Sequence, residues 1–234
     1  MKHSTNSFVR LFFTAALATC LAAPALAASK NKLDAKVRDL TDYFDQFQQD
    51  APKAVPAEIL AKAEGIVVLR SYKAGFIVGV AGSGGVAIVK KDGKWGPIGF
   101  VKGGEGSFGF QAGAQRSDVI LVLMNSSAIK LLTDPNLKIG VDVRVTTGPV
   151  STGDQANLKL DQTPVLIYGS TKGLYGGASL QTGGLFPDDG ANEDYYDRQI
   201  TMSDILVEGK VQPTEAAKLL ADKIEQYAKK AKKD

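Results

Sequence analysis

Between Gly65 and Asn125 the chain runs through short apolar stretches whose connections are too brief for a crossover, and that pattern confines this region to antiparallel pairing. The runs are Ile66–Ser71, Phe76–Ala81, Val86–Lys91, Trp95–Lys102, Ser107–Gln115 and Asp118–Met124. Their composition and alternation suit strands, in which successive side chains point to opposite faces. Parallel neighbours need a connection of a dozen or more residues, and no gap between these runs approaches that length. Asp92-Gly93, set between two of them, is the pair that a two-residue hairpin turn favours. A meander is therefore expected. Glycine shapes it further: there are 25, and Gly79, Gly82, Gly84, Gly85 and Gly113 fall inside or beside the runs rather than in linkers. A missing side chain lets a strand bend, bulge or accept a neighbouring backbone. The prediction is a strongly curved sheet, barrel- or sandwich-like, with a glycine-lined groove for an acyl chain as the functional alternative.

Helical periodicity flanks the strands. Leu33, Val37, Leu40, Phe44 and Phe47 share one helical stripe, with Ser29 placed to cap its start and Asp34, Asp39, Asp42 and Asp45 against Lys36 and Arg38 on the opposite face. Pro56 suits the opening of a short helix through Lys62, which Gly65 ends. Beyond the meander, Asn125 or Ser126 can cap a helical turn through Leu132, and Lys138–Thr146 alternates as a strand. Further strands are expected at Pro164–Gly169 and Leu174–Gln181, with a loop at 186–191. A last helix, Thr214 to about Lys230, places Ala217, Leu220, Ile224 and Tyr227 inward. The fold class is α+β, a curved antiparallel sheet packed by N- and C-terminal helices.

The first 27 residues read as a secretory signal peptide: Lys2 and Arg10, an apolar run from Leu11 to Ala23, and a small-x-small site at Ala25-Leu26-Ala27. The apolar run is too short to span a bilayer comfortably, and Pro24 breaks it. Cleavage removes the one cysteine, Cys20, and the one histidine, His3. The remaining chain then has no thiol nucleophile, no imidazole for acid-base chemistry and no ordinary zinc ligand set. Lipidation at Cys20 is the minor alternative, since Leu17-Ala18-Thr19-Cys20 imitates a lipobox loosely. Loss of Lys2 and Arg10 takes the formal net charge from +3 to +1, which carries no signature of nucleic-acid binding. The organisation read from these features is residues 1–27 signal, 28–54 amphipathic helix and linker, and 55–234 one domain.

Several motifs have ordinary explanations. Gly104-Glu105-Gly106-Ser107-Phe108-Gly109 has the spacing of a dinucleotide loop, but Phe108, Phe110 and Ala112 alternate as a strand rather than opening a helix. Ser127-Ala128-Ile129-Lys130 has the S-x-x-K spacing of penicillin-recognising enzymes without their supporting motifs, so a helix start is the better reading. Asp188, Asp189, Glu193 and Asp194 lie close together but lack the order of a calcium loop. No metal or cofactor is expected. A carboxylate-based hydrolase is the remaining catalytic alternative, because it needs only two acids at fixed separation. The chain is read as a non-enzyme.

The succession of segments resembles the SYLF domain family, also described as lipid-binding SYLF or actin-binding-like domains. The segments are Val55-Pro56, Ala63-Glu64-Gly65-Ile66-Val67-Val68, Lys73-Ala74-Gly75-Phe76, Gly82-Ser83-Gly84-Gly85-Val86 and Gly93-Lys94-Trp95-Gly96-Pro97-Ile98. They continue with Gly106-Ser107-Phe108-Gly109-Phe110-Gln111-Ala112-Gly113, Asp118-Val119-Ile120-Leu121-Val122-Leu123, Thr147-Gly148-Pro149 and Lys172-Gly173-Leu174-Tyr175-Gly176-Gly177. Asp197 departs from the pattern, where a glycine is expected. The resemblance implies lipid binding, through phosphoinositides in eukaryotic relatives, and actin binding in fungal ones. In a secreted protein actin is not an expected partner. Membrane binding in eukaryotic relatives is associated with an N-terminal amphipathic helix, whereas the corresponding helix here carries an acidic face that anionic lipid repels.

The sequence therefore leads to a non-catalytic periplasmic or secreted domain that meets lipid or an anionic membrane surface. The candidate contacts are Lys53, Lys62, Arg70, Lys73, Lys229, Lys230, Lys232 and Lys233. An envelope structural or protein-interaction module without lipid specificity is the alternative.

Overall fold

The computed structural model describes residues 29–50, 54–75, 79–105, 113–134, 145–148, 163–169 and 185–232, with the backbone alone for 71–75, 79–82, 104–105, 113–117, 145–147 and 232. Residues 1–27, read as the signal peptide, lie outside this set, as do Ile139, Val141, Val143 and the expected strand Leu174–Gln181. The chain opens with α1 (29–49) and α2 (Ala57–Lys62). Four long strands follow: β1 (Gly65–Gly75), β2 (Gly79–Lys91), β3 (Lys94–Glu105) and β4 (Gly113–Leu123). Then come α3 (Ser126–Thr133), β5 (Val145–Thr147), β6 (Val165–Gly169), β7 (Leu185–Pro187), α4 (Asp189–Tyr196), a π-helical turn (Asp204–Glu208), α5 (Glu215–Ala228) and a 3-10 turn (Lys229–Lys232).

The strands form one sheet in the order β5-β6-β4-β1-β2-β3-β7, curled as a half-barrel and antiparallel except for the β5–β6 pair. The α+β class and the meander are as the short connections require. Six sequence runs, however, become four strands. Gly82, Gly84 and Gly85 do not interrupt β2, because Tyr72, Arg70 and Leu69 of β1 and Gly104, Lys102 and Val101 of β3 stand opposite them in continuous register. A ladder satisfied on both sides holds glycine extended despite its freedom elsewhere. The hairpin Asp92-Gly93 is as read: φ is 51° and 76° at the two residues, the left-handed pair of a type I′ turn.

Register explains the core. Leu166, Val122, Ile66, Ile88 and Ile98 form one row across five strands, and Tyr168, Ile120, Val68, Val86 and Phe100 the next. These rows and α1, α2, α4 and α5 share one apolar cluster, to which α1 alone gives Val37, Leu40, Tyr43, Phe44 and Phe47. The opposite face is also covered. Val67, Leu69, Ala87, Val101 and Leu121 pack beneath α3 and the segment Ile200–Leu206. There Gly99 makes room for Met202, since a Cβ at residue 99 would overlap the thioether sulfur. The sequence reading placed helices only from the two termini against the sheet; the second cover comes from the middle of the chain.

Residues 186–191, expected as a loop, instead end β7 and begin α4. The reason is Asn192, fully buried beside β3. Its Oδ1 accepts a hydrogen bond from Phe100 N at 2.7 Å and its Nδ2 donates to Phe100 O at 3.4 Å, as a further strand would. Tyr196 Oη donates to Ile98 O at 2.6 Å, so α4 closes the edge of β3 that the three-residue β7 leaves open. Asp197, where glycine was expected, is the left-handed residue that ends α4, with φ at 51°. Aspartate tolerates that conformation better than most residues do.

Two tests follow from this packing. Asn192→Leu leaves the buried Phe100 N–H without its acceptor and should cost about 2–3 kcal/mol, read as a lower urea midpoint at unchanged slope. Asp45 of α1 accepts hydrogen bonds from Tyr227 Oη at 2.8 Å and is paired with Lys223 at 3.0 Å. Desolvation pushes its pKa up, but these donors and the lysine charge outweigh it and hold the carboxyl below its ordinary value. Its stabilising contribution is therefore present above the unfolded pKa of about 4 and lost as pH falls through the folded value. Asp45→Asn should flatten that acid limb of a stability-against-pH curve.

Candidate functional site

The structure separates the eight candidate cations. Lys53 and Lys233 lie outside the described residues. Lys73 and Lys232 are placed by backbone only: Lys73 pairs with Ala81 and Gln115, and Lys232 ends the 3-10 turn. Lys62, Lys229 and Lys230 are exposed. Arg70 is not.

Arg70 sits in β1 about 17 Å along the strand from Gly65, with its side chain only 8% exposed. Its Nε donates to Asp118 Oδ1 at 3.0 Å across the β1–β4 rung, its Nη1 pairs with Asp39 of α1, and the guanidinium stands over the Tyr43 ring at 6.0 Å. It is a tie between helix and sheet rather than a group offered to a ligand. The same arrangement corrects the reading of α1. Of the four acids assigned to its solvated face, Asp39 meets Arg70, Asp34 accepts from Tyr195 Oη at 2.6 Å and Asp45 meets Tyr227 and Lys223. Thr214, the N-cap of α5, bonds the same Tyr195 hydroxyl at 2.7 Å, so one chain of hydrogen bonds joins α1, α4 and α5. The apolar stripe of α1 is core and its acids are seam.

The remaining candidates gather at the hairpin end of the sheet. α2 packs on both α5 and the Lys229–Lys232 turn, which brings the exposed end of Lys62 beside Lys229 and Lys230 within the roughly 9 Å length of that helix. The β2–β3 hairpin adds three lysines that sequence reasoning passed over. Lys90 lies over the Trp95 ring at 4.8 Å and donates to Ala61 O of α2 at 3.4 Å. Lys91, on the other side of the strand, donates to Val207 O at 2.9 Å, and Lys94 is exposed at the turn. Val207 is itself 43% exposed, one of two large apolar side chains so placed among the described residues. The signal was legible as lysines bracketing Asp92-Gly93, but only the α2 contact shows that they join Lys62. Glu64 and Glu225 moderate this charge, since both act on Lys90, and Glu225 pairs with Lys229 at 3.2 Å.

The glycines do not leave an open groove where they can be described: Met202 fills the space at Gly99, and the Tyr168 ring that at Gly148. The other motifs resolve locally. Asn125 caps α3 by accepting from Ala128 N at 3.1 Å, and Ser127 Oγ donates to Asn125 Oδ1 at 2.5 Å, so the S-x-x-K serine belongs to a helix cap. In the acidic cluster, Asp188 pairs with Lys102 and Asp194 accepts from Ser29. Of the dinucleotide-like motif, Gly104 and Glu105 end β3, and the rest lies outside the described residues.

Replacing Arg70 by methionine strands the buried Asp118 without its countercharge and should destabilise the fold by about 3–5 kcal/mol. Asp39→Asn, at a carboxylate 62% exposed, should cost under about 1 kcal/mol. Denaturant melts of the two variants decide whether Arg70 is a structural tie; a folded Arg70→Met protein of wild-type stability would refute it.

Comparison with known proteins places these features in a family. Residues 104–227 match the family model Ysc84, described as Las17-binding protein actin regulator. The rat SH3 domain-containing YSC84-like protein 1 is 32% identical over 201 residues, which cover 84% of this chain and 58% of that protein. Its human counterpart is 31% identical over the same length, and LAS seventeen-binding protein 3 of Saccharomyces cerevisiae is 28% identical over 172 residues, covering 71% of this chain and 37% of the yeast protein. The chain thus spans less than two thirds of the length of these relatives. No solved structure matches it significantly.

Proposed function

The chain belongs to the Ysc84, or SYLF, family, and from that premise we propose that it is a non-catalytic binding domain of the cell envelope that docks on anionic lipid through its hairpin end. The observation that carries this reading is the convergence of Lys62, Lys229 and Lys230 with Lys90, Lys91 and Lys94 at one end of the sheet. A lysine near an anionic bilayer contributes about 1 kcal/mol, so several acting together suffice for reversible docking without a deep pocket. The exposed Val207 beside Lys91 supplies an apolar contact at the same end. α1 plays no part in this contact, because its apolar stripe is buried against the sheet.

Export rests on the first 27 residues, with cleavage after Ala27 placing the domain in the periplasm or outside the cell. The printed names of the relatives attach Las17 and actin to those proteins, and in that compartment neither is a partner of this one.

Vesicle co-sedimentation tests the docking surface. The purified protein should pellet with anionic vesicles at low salt, stay in the supernatant with neutral ones, and be released by high salt. Reversing Lys62, Lys94, Lys229 and Lys230 to glutamate together should weaken binding on the order of a hundredfold. Wild-type protein that remains soluble with every vesicle rules out lipid docking and turns the same surface toward a protein partner.

A further inference from the structure

Lys36 of α1 is the one cation at the sheet's other end whose position the packing leaves unexplained. It leans from α1 onto β2, where a Cβ built on Gly84 would lie 2.9 Å from its Nζ, and it stands 5.7 Å from the centre of the Phe100 ring. The side chain is partly buried, yet among the described residues its ammonium makes no hydrogen bond or ion pair. Burial lowers its pKa, and the charge of Asp188 offsets this only in part. Asp188 is already engaged with Lys102 at 3.4 Å. Lys102 is the cross-strand partner of Gly84, so two ammonium groups approach the same bare position of β2 and share one carboxylate. The neighbour on the other side, Arg70, is matched by Asp118 and Asp39 and contributes no surplus charge.

We infer that Lys36 and Lys102 form a subsite for a phosphate group over Gly84. A half-desolvated ammonium without a counterion is a costly group to maintain, and a tetrahedral oxyanion offers acceptors to both lysines at once, with lysine serving as a point-charge phosphate ligand. Glycine at 84 keeps the approach clear, because any side chain there would meet the Lys36 amine. The subsite lies some six residues along the strands from the hairpin end and does not depend on the docking surface proposed above.

Lysine acylation footprinting of the intact protein tests it, comparing sodium phosphate with sodium chloride at equal ionic strength and neutral pH. Free Lys36 is the more reactive for its lowered pKa. Phosphate at ten times its dissociation constant should slow Lys36 labelling about tenfold while leaving the exposed Lys32 unchanged. Lys102→Met should remove most of that protection with Lys36 still present as the reporter. Equal labelling of Lys36 in the two salts, or full protection in Lys102→Met, overturns the subsite. Vesicles containing a phosphomonoester lipid form a second arm. Protection there with co-sedimentation assigns the phosphate to a lipid headgroup, and protection by inorganic phosphate alone assigns it to a soluble ligand.

Discussion

β1 is the strand on which the rest of the molecule hangs. It is hydrogen-bonded along its whole length on both sides, to β2 and to β4, and its residues 66–69 are buried on both faces. A central strand with two apolar faces demands two covers. That demand recruits α1, α2, α4 and α5 to one side and α3 with the segment 200–206 to the other. Each cover then fixes what its own polar residues can do, because a helix laid on a sheet brings its flanking side chains to the seam.

The seam of α1 shows the consequence. A helix whose stripe supplies five buried side chains cannot also present them to a bilayer, since exposing each large apolar residue would forfeit about 1.5–3 kcal/mol. Its acids are held by Arg70, Tyr195, Tyr227 and Lys223, contributed by three other elements. Membrane contact is left to the hairpin end, where the lysines are not consumed by the core.

Much of this was legible in the residues. The short connections require antiparallel pairing, Asp92-Gly93 marks its hairpin, and the unbroken Ile66-Val67-Val68-Leu69 is the pattern of a strand covered twice. Helical spacing locates α1 and α5 within a few residues. What stayed hidden depends on partners distant in the chain. Asn192 reads as one polar residue in an acidic stretch, and only its position beside Phe100 makes it part of the β3 edge. Arg70 reads as a surface cation beside Lys73, and only the rung opposite Asp118 makes it buried.

The sequence alone determined the local terms: strand against helix, the hairpin, the apolar stripes and the family resemblance, all set by neighbours a few residues apart. The tertiary structure alone decided which charges are free, because the environment of a side chain is made by residues tens of positions away. Asp39, Asp118 and Arg70 neutralise one another across 31 and 48 residues, whereas Lys62 and Lys94 remain in solvent. Alternation can say which face a charge occupies, but whether that face meets water or a countercharge is settled only when the helices close over the sheet.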